Sequence, residues 1–178
     1  MVTKVYGDTG VDKIVDGTIT SSDLASGVGG KVLQVVQVFK NDVFSTTSTS
    51  YVDVTGLSAS ITPSSASNKI LVLLRTSQAV SADDQIFTTL LRDATTIAAA
   101  NTKDYFSHMY PSRNSADTNT YMAHGSTHVD YLDSPSTTSS VTYKVQMKVN
   151  AATGYINRSR DSDNYRGVSS ITLMEVAG

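Results

Sequence analysis

The chain has 178 residues, 17% of them charged, with a formal net charge of −2 and neither cysteine nor tryptophan. That length fits a single domain able to bury a core without metals or disulfides, and the near-neutral balance excludes the strong positive field on which nucleic-acid binding depends. No run approaches the roughly eighteen apolar residues of a membrane-spanning helix, and the N-terminus lacks the basic-then-apolar pattern of a secretory signal, so no membrane insertion is expected.

With three Pro and no Trp, the interior must be filled by Val, Leu, Ile, Ala, Met and some of the nine Tyr and four Phe. A protomer with so modest a core gains its remaining burial from neighbours, which predicts a homo-oligomer. Residues 1–29 carry five Gly and few large apolar groups, the composition of an arm that orders against something else. Within it, Ser21 to Ala25 has a Ser cap and room for one helical turn, which cannot hold itself together.

From Lys31 the pattern is that of strands. Lys31 to Phe39 is Val-rich, Asn41-Asp42 breaks it, and Ser50 to Thr55 resumes. Gly56 marks a bulge or bend before Leu57 to Thr62, and Pro63 to Asn68 is a turn. Lys69 to Val80 reads as a long central strand; Ile70 to Leu74 is apolar at every position and calls for cover on both sides. After a turn at Ser81 to Asp84, a strand runs from Gln85 to Arg92, and Asp93-Ala94 connects it tightly to Thr95 to Ala100. Three consecutive Ala favour a helix there, but β-branched Thr95, Thr96 and Ile97 favour a strand. Later strands are expected at Thr120 to Tyr131, Val141 to Val149, Gly154 to Arg158 and Val168 to Val176, with Asp133-Ser-Pro135 turning before the clean alternation of Val141, Tyr143, Val145, Met147 and Val149.

Short strands at this spacing predict an all-β fold, an antiparallel β-sandwich of jelly-roll-like form over residues 30–178, preceded by the extended arm. No repeat of roughly twenty to fifty residues is visible, which disfavours a solenoid or propeller.

Five stretches carry a family likeness. Thr55 to Leu74 and Leu132 to Gln146 are strand, turn and strand in small polar and β-branched residues. Gly10 to Ser26 looks like a segment that joins an anchor to a head, Gly30-Lys-Val-Leu-Gln-Val-Val-Gln-Val38 looks like a first strand, and Ser170-Ile-Thr-Leu-Met-Glu-Val176 like a last. Together they resemble the C-terminal β-sandwich domains of bacteriophage tail fibres and related virion structural proteins, above all those of marine and cyanobacterial phages. The resemblance covers most of the chain. It implies a virion location, a homotrimer about a threefold axis, and an arm that binds other virion proteins through apolar residues such as Tyr6, Val11, Ile14, Ile19 and Leu24. A short tail-fibre role with attachment to the host surface is one expectation; a capsid decoration or head-fibre protein, or a tail adaptor or baseplate component, is the alternative.

Catalytic and metal chemistry find little footing. His124 and His128, four apart on a strand, share a face but stand roughly 13 Å from each other, too far for one ion to be held by both from one chain. No Gly-x-Ser-x-Gly occurs, and Asp83-Asp84 sits in a turn, where Asp serves backbone geometry. No enzyme activity and no cofactor are expected. Two long loops are better candidates: Tyr105 to Tyr121, with Tyr110 and Arg113, and Ile156 to Gly167, where Arg158, Arg160 and Arg166 interleave with Asn164 and Tyr165. Tyr offers a flat face to a sugar ring while Arg and Asn offer fixed donors, so a host cell-surface glycan is the ligand these loops suit. Pairing of the arginines with Asp161 and Asp163, or a contact with a neighbouring subunit, is the plainer reading of the second loop.

Overall fold

A computed structural model describes residues 31–81, 84–109, 124–158 and 166–178. The strands are β1 (Val32–Lys40), β2 (Phe44–Thr46), β3 (Val52–Ile61), β4 (Lys69–Val80), β5 (Ile86–Arg92), β6 (Thr95–Ile97), β7 (Ser107–Met109), β8 (His124–Asp133), β9 (Val141–Val149), β10 (Gly154–Ile156) and β11 (Ser169–Val176). All described pairings are antiparallel, and the strands form two sheets packed as a sandwich.

The first sheet runs β1-β11-β4-β8, with β10 and β2 continuing the β11 and β1 columns past the end of β11. The second runs β3-β9-β5, with β6 and β7 both beside β5. Each early strand thus pairs with a late one, β1 with β11, β3 with β9 and β4 with β8, around the local β5-β6 hairpin. That is the winding of a jelly roll, as the sequence pattern predicts.

Period-two alternation fills the core. Along β9 the odd residues Val141 to Val149 are buried and the even ones half-buried, and β11 buries Ile171 and Leu173 in the same way. These meet Leu57, Ile70, Val72, Leu74, Ile86 and Leu90 from the facing strands. Each such side chain contributes about 1.5–3 kcal/mol through burial.

The stretches on either side of Gly56 are one strand rather than two. Asp53 pairs with Gln146, yet Ser58 pairs with Lys144, so the intervening residues bulge, with Gly56 at φ 80°. A bulge of this kind requires a positive φ that Gly alone adopts without cost. Beneath it lies the buried side chain of Lys40; a Cβ on Gly56 would stand 3.5 Å from its Nζ. The strand expected over Thr95 to Ala100 ends at Ile97, because Ala98 turns into the left-handed region at φ 55°. The expected strand over Gly154 to Arg158 stops at Ile156 for the same reason, at Asn157. The first expected loop is also shorter, since Ser107–Met109 pairs with β5.

Candidate functional site

The second of the two loops leaves the first sheet from the middle of a strand column. β10 pairs with Gln78–Val80 of β4, β11 pairs with Lys69–Arg75 of the same strand, and the chain between them departs and returns in the gap. Asn157 builds that gap. It is fully buried at φ 63°, a conformation Asn tolerates better than other non-Gly residues. Its backbone N–H donates to the Ser77 carbonyl at 2.9 Å, while its side-chain amide donates to the Lys40 and Asp42 carbonyls at 2.8 and 3.1 Å. Its Oδ1 accepts from the Ser169 hydroxyl at 2.7 Å, and that hydroxyl oxygen accepts from the Ser77 N–H at 3.1 Å. One side chain therefore ties β4, the break between β1 and β2, and the first residue of β11 into a closed polar plug. The Gly167 N–H donating to the Asn157 carbonyl at 3.4 Å closes the mouth of the loop.

The residue that follows lies on the outer face of the sheet. Tyr155 alternates with buried Gly154 and Ile156 and so points outward, and the Arg158 guanidinium sits over its ring at 4.6 Å from the centroid. Arg166, at the other end of the loop, is exposed. Farther along the same face Phe39, Ser170, Arg75 and His128 stand side by side on four neighbouring strands, with Phe39, Arg75 and His128 exposed. The base of the loop itself thus carries one aromatic ring with a cation over it.

The outer face of the second sheet carries a different cluster. The Lys148 ammonium lies 4.3 Å from the Tyr51 ring centroid and 5.3 Å from that of Phe87, and it pairs with Asp104 at 3.4 Å. Tyr105 leans on Phe87 with ring centroids 5.2 Å apart. Burial, and next to it the charge of Asp104, pushes the Tyr51 phenol above its ordinary range. Beside them Asp53 accepts from Lys144 and Gln146 at 2.9 and 2.7 Å. The hydrogen bond from Gln146, and then that from Lys144, holds the Asp53 carboxyl below its usual value against the smaller opposing effect of burial.

Of the residues singled out from the sequence, Arg158 and Arg166 are brought to the mouth of one loop. Tyr110, Arg113, Arg160, Asn164 and Tyr165 lie outside the described residues, as do the arm residues Tyr6, Val11, Ile14, Ile19 and Leu24 and the acidic pair Asp161 and Asp163. Asn157 stands inside the stretch that sequence reasoning marked, but its part as the root of the loop was missed. The available signal was an Asn directly after a β-rich run, at a place where the chain must turn. Asp84 serves backbone geometry as expected: its carboxylate accepts from the Ala151 and Ala152 N–H groups at 2.8 and 2.6 Å. Burial opposes its ionisation, yet these amides keep its pKa below the usual carboxylate value. Among the described residues no three His, Asp or Glu side chains converge as metal ligands would.

These features define an all-β protein: an antiparallel jelly-roll sandwich with a loop rooted in the middle of one sheet. No family model matches the chain, and no curated protein matches it in sequence. Among solved structures it is similar to a chain of the infectious bursal disease virus Gt strain, at 10% identity and a TM-score of 0.42, over 82% of this chain and 38% of that one. It is likewise similar to a mutant VP2 protein of infectious bursal disease virus from T=1 particles, at 12% identity and a TM-score of 0.39, over 81% of this chain and 36% of that one. The chain spans less than two fifths of the length of either.

Proposed function

We propose that this chain is a non-enzymatic virion structural protein, a short tail-fibre-like homotrimer whose N-terminal residues 1–29 anchor it and whose jelly roll faces the host surface. The observation that carries the reading is the loop between Asn157 and Ser169. A rigid sheet, closed by a buried amide plug, holds its two ends and sets Arg158 on an aromatic ring at its base. Recognition loops are borne by scaffolds of this kind, and the Arg and Tyr at the base suit the hydroxyls and ring faces of a cell-surface glycan. The sequence resemblance to phage fibre domains points the same way. Three copies would turn weak single contacts into avidity.

The test has two parts. Purified virions labelled with a gold-tagged antibody against the chain should carry label at the tail or its fibres; label over the head instead makes it a decoration protein. Replacing Arg158 and Tyr165 with Ala should then abolish adsorption while the assembled protein stays intact, and undiminished adsorption refutes the loop as the receptor site.

A further inference from the structure

We propose that the outer face of the β1-β11-β4-β8 sheet, where β11 lies along Lys69–Arg75 of β4 and so apart from the loop base at Gln78–Val80, is the surface through which copies of this chain associate. The assignment names the contact face of the homo-oligomer in the functional reading and rests on that reading.

The two outer faces of the sandwich are unlike. On the second sheet the charges are matched at home, Lys144 with Asp53 at 2.9 Å and Lys148 with Asp104 at 3.4 Å. None of the exposed large apolar side chains among the described residues lies on a strand of that sheet. On the first sheet the pleat sets Val35, Met174, Leu71 and Leu132 opposite one another across all four strands, an unbroken apolar row. Val35 and Leu132, at its two ends, are 53% and 49% exposed, and Leu33 and Phe39 along β1 are 48% and 59% exposed. A sheet face turned to water alternates apolar-in with polar-out. This one is apolar on both sides along β4, as the continuous run Ile70 to Leu74 demands, and only the inner side is covered by described residues. β1 is moreover a sheet edge without a charge between Val32 and Phe39, the type of strand that soluble proteins do not leave bare.

The charges on this face identify the occupant as a second copy. Lys69 and Arg75 on β4 and Asp130 on β8 are all exposed, on the same face as the apolar row. None of the three has an ion-pair partner among the described residues. A partner of one charge sign would leave either the cations or the anion unmatched. Copies of the same face bring Asp130 of each chain toward cations of a neighbouring one, around a shared apolar centre. Apolar middle and charged rim is the anatomy of a protein interface, and a face carrying both charge signs can be matched by copies of itself set round a threefold axis.

Sedimentation velocity on the full chain tests this, comparing the native protein with the pair Val35→Lys and Leu132→Lys, and with Ser60→Lys on the opposite outer face as control. The expected result is a native protein at a multiple of 18.9 kDa, the paired variant at the single-chain mass with an unchanged far-ultraviolet spectrum, and the control unchanged. A native protein at the single-chain mass means another occupant covers the face and overturns the oligomer reading and this surface together. An oligomer that survives the paired substitution leaves that reading standing and overturns the surface alone. Should the paired variant unfold, single cysteines decide, since the chain has none of its own. Leu132→Cys should give covalent oligomers with a short bismaleimide and Ser60→Cys should not; the reverse pattern refutes the proposal.

Discussion

Glu175 offers the sharpest test of how the fold is held. It sits on the inward parity of β11 and is 1% exposed, with no cation beside it among the described residues. Its Oε1 accepts from the Ser64 N–H, the Ser64 hydroxyl and the Asn68 amide at 2.6, 2.7 and 2.6 Å, and its Oε2 from the Gln34 amide at 2.6 Å. Burial favours the neutral acid, but these donors, with Asn68 foremost, outweigh it and bring the pKa from 4.5 down to about 2. Because the folded pKa lies below the unfolded one, the contribution is complete above pH 4.5 and is lost as the pH falls through 2. At neutral pH the difference is on the order of 3 kcal/mol. Glu175→Gln keeps the shape but turns an amide donor toward groups that are themselves donors, so it should cost about that much. Urea unfolding of both proteins at pH 7 and pH 2.5 is the assay. The native protein should lose most of its advantage over Glu175→Gln between the two conditions. Equal gaps at both pH values would refute the argument, since the charge of Glu175 would then not be what the turn is built on.

Asn157→Ala should destabilise by about 2–4 kcal/mol, through lost hydrogen bonds and the cost of a positive φ without a tolerant side chain, and should open the adjoining loop to proteolysis before global unfolding. Gly154→Ala should cost about 1–3 kcal/mol in thermal unfolding, because the new methyl would stand 2.7 Å from Val149 Cγ1 and 3.2 Å from Met147 Cε. Lys40→Met should be neutral or stabilising by up to about 2 kcal/mol in urea, since the ammonium is buried while its partner Asp42, 2.8 Å away, is largely in water. Tyr143→Phe should cost about 1–2 kcal/mol by removing the hydroxyl that donates to buried Asp133 at 2.7 Å, leaving that carboxylate to Arg92 alone.

The long strands were legible for different reasons: β9 alternates over nine residues, and β4 carries an unbroken apolar run from Ile70 to Leu74. β2 and β7, three residues each, are too short to show a period; they exist because the neighbouring columns supply a partner edge. Gly56 was readable as a bulge, since Gly inside a β-branched run has few other uses. The left-handed turn at Ala98 was not, because an Ala fits many conformations and the tertiary contacts choose among them; at Asn157 the residue type signals a turn but not what the side chain ties. The candidate site was legible to the level of the loop and two of its arginines. Its root was not, since Asn157 is tied to Lys40 across 117 residues of chain, a distance over which a linear pattern carries no signal.

One rule recovers part of what was missed. In β1 the inward series Gln34, Val36 and Val38 ends at Lys40; in β8 Val129 and Tyr131 end at Asp133; in β11 Ile171 and Leu173 end at Glu175. In each case the parity that buries apolar residues carries a charge at its last step, and each of those charges is buried and partnered. A charge on the inward parity at a strand end is therefore a prediction of a tied corner, since an unmatched one could not be buried there. The partners show what is tied: Glu175 holds the turn between β3 and β4, Asp133 joins β8 to Arg92 of β5 and Tyr143 of β9, and Lys40 lies under the β3 bulge. Glu175 and Asp133 thus fix strands and turns from the inside, whereas the charge of Lys40 meets only the exposed Asp42 two residues on among the described residues. An uncharged edge or an apolar row on an outer surface then calls for a partner.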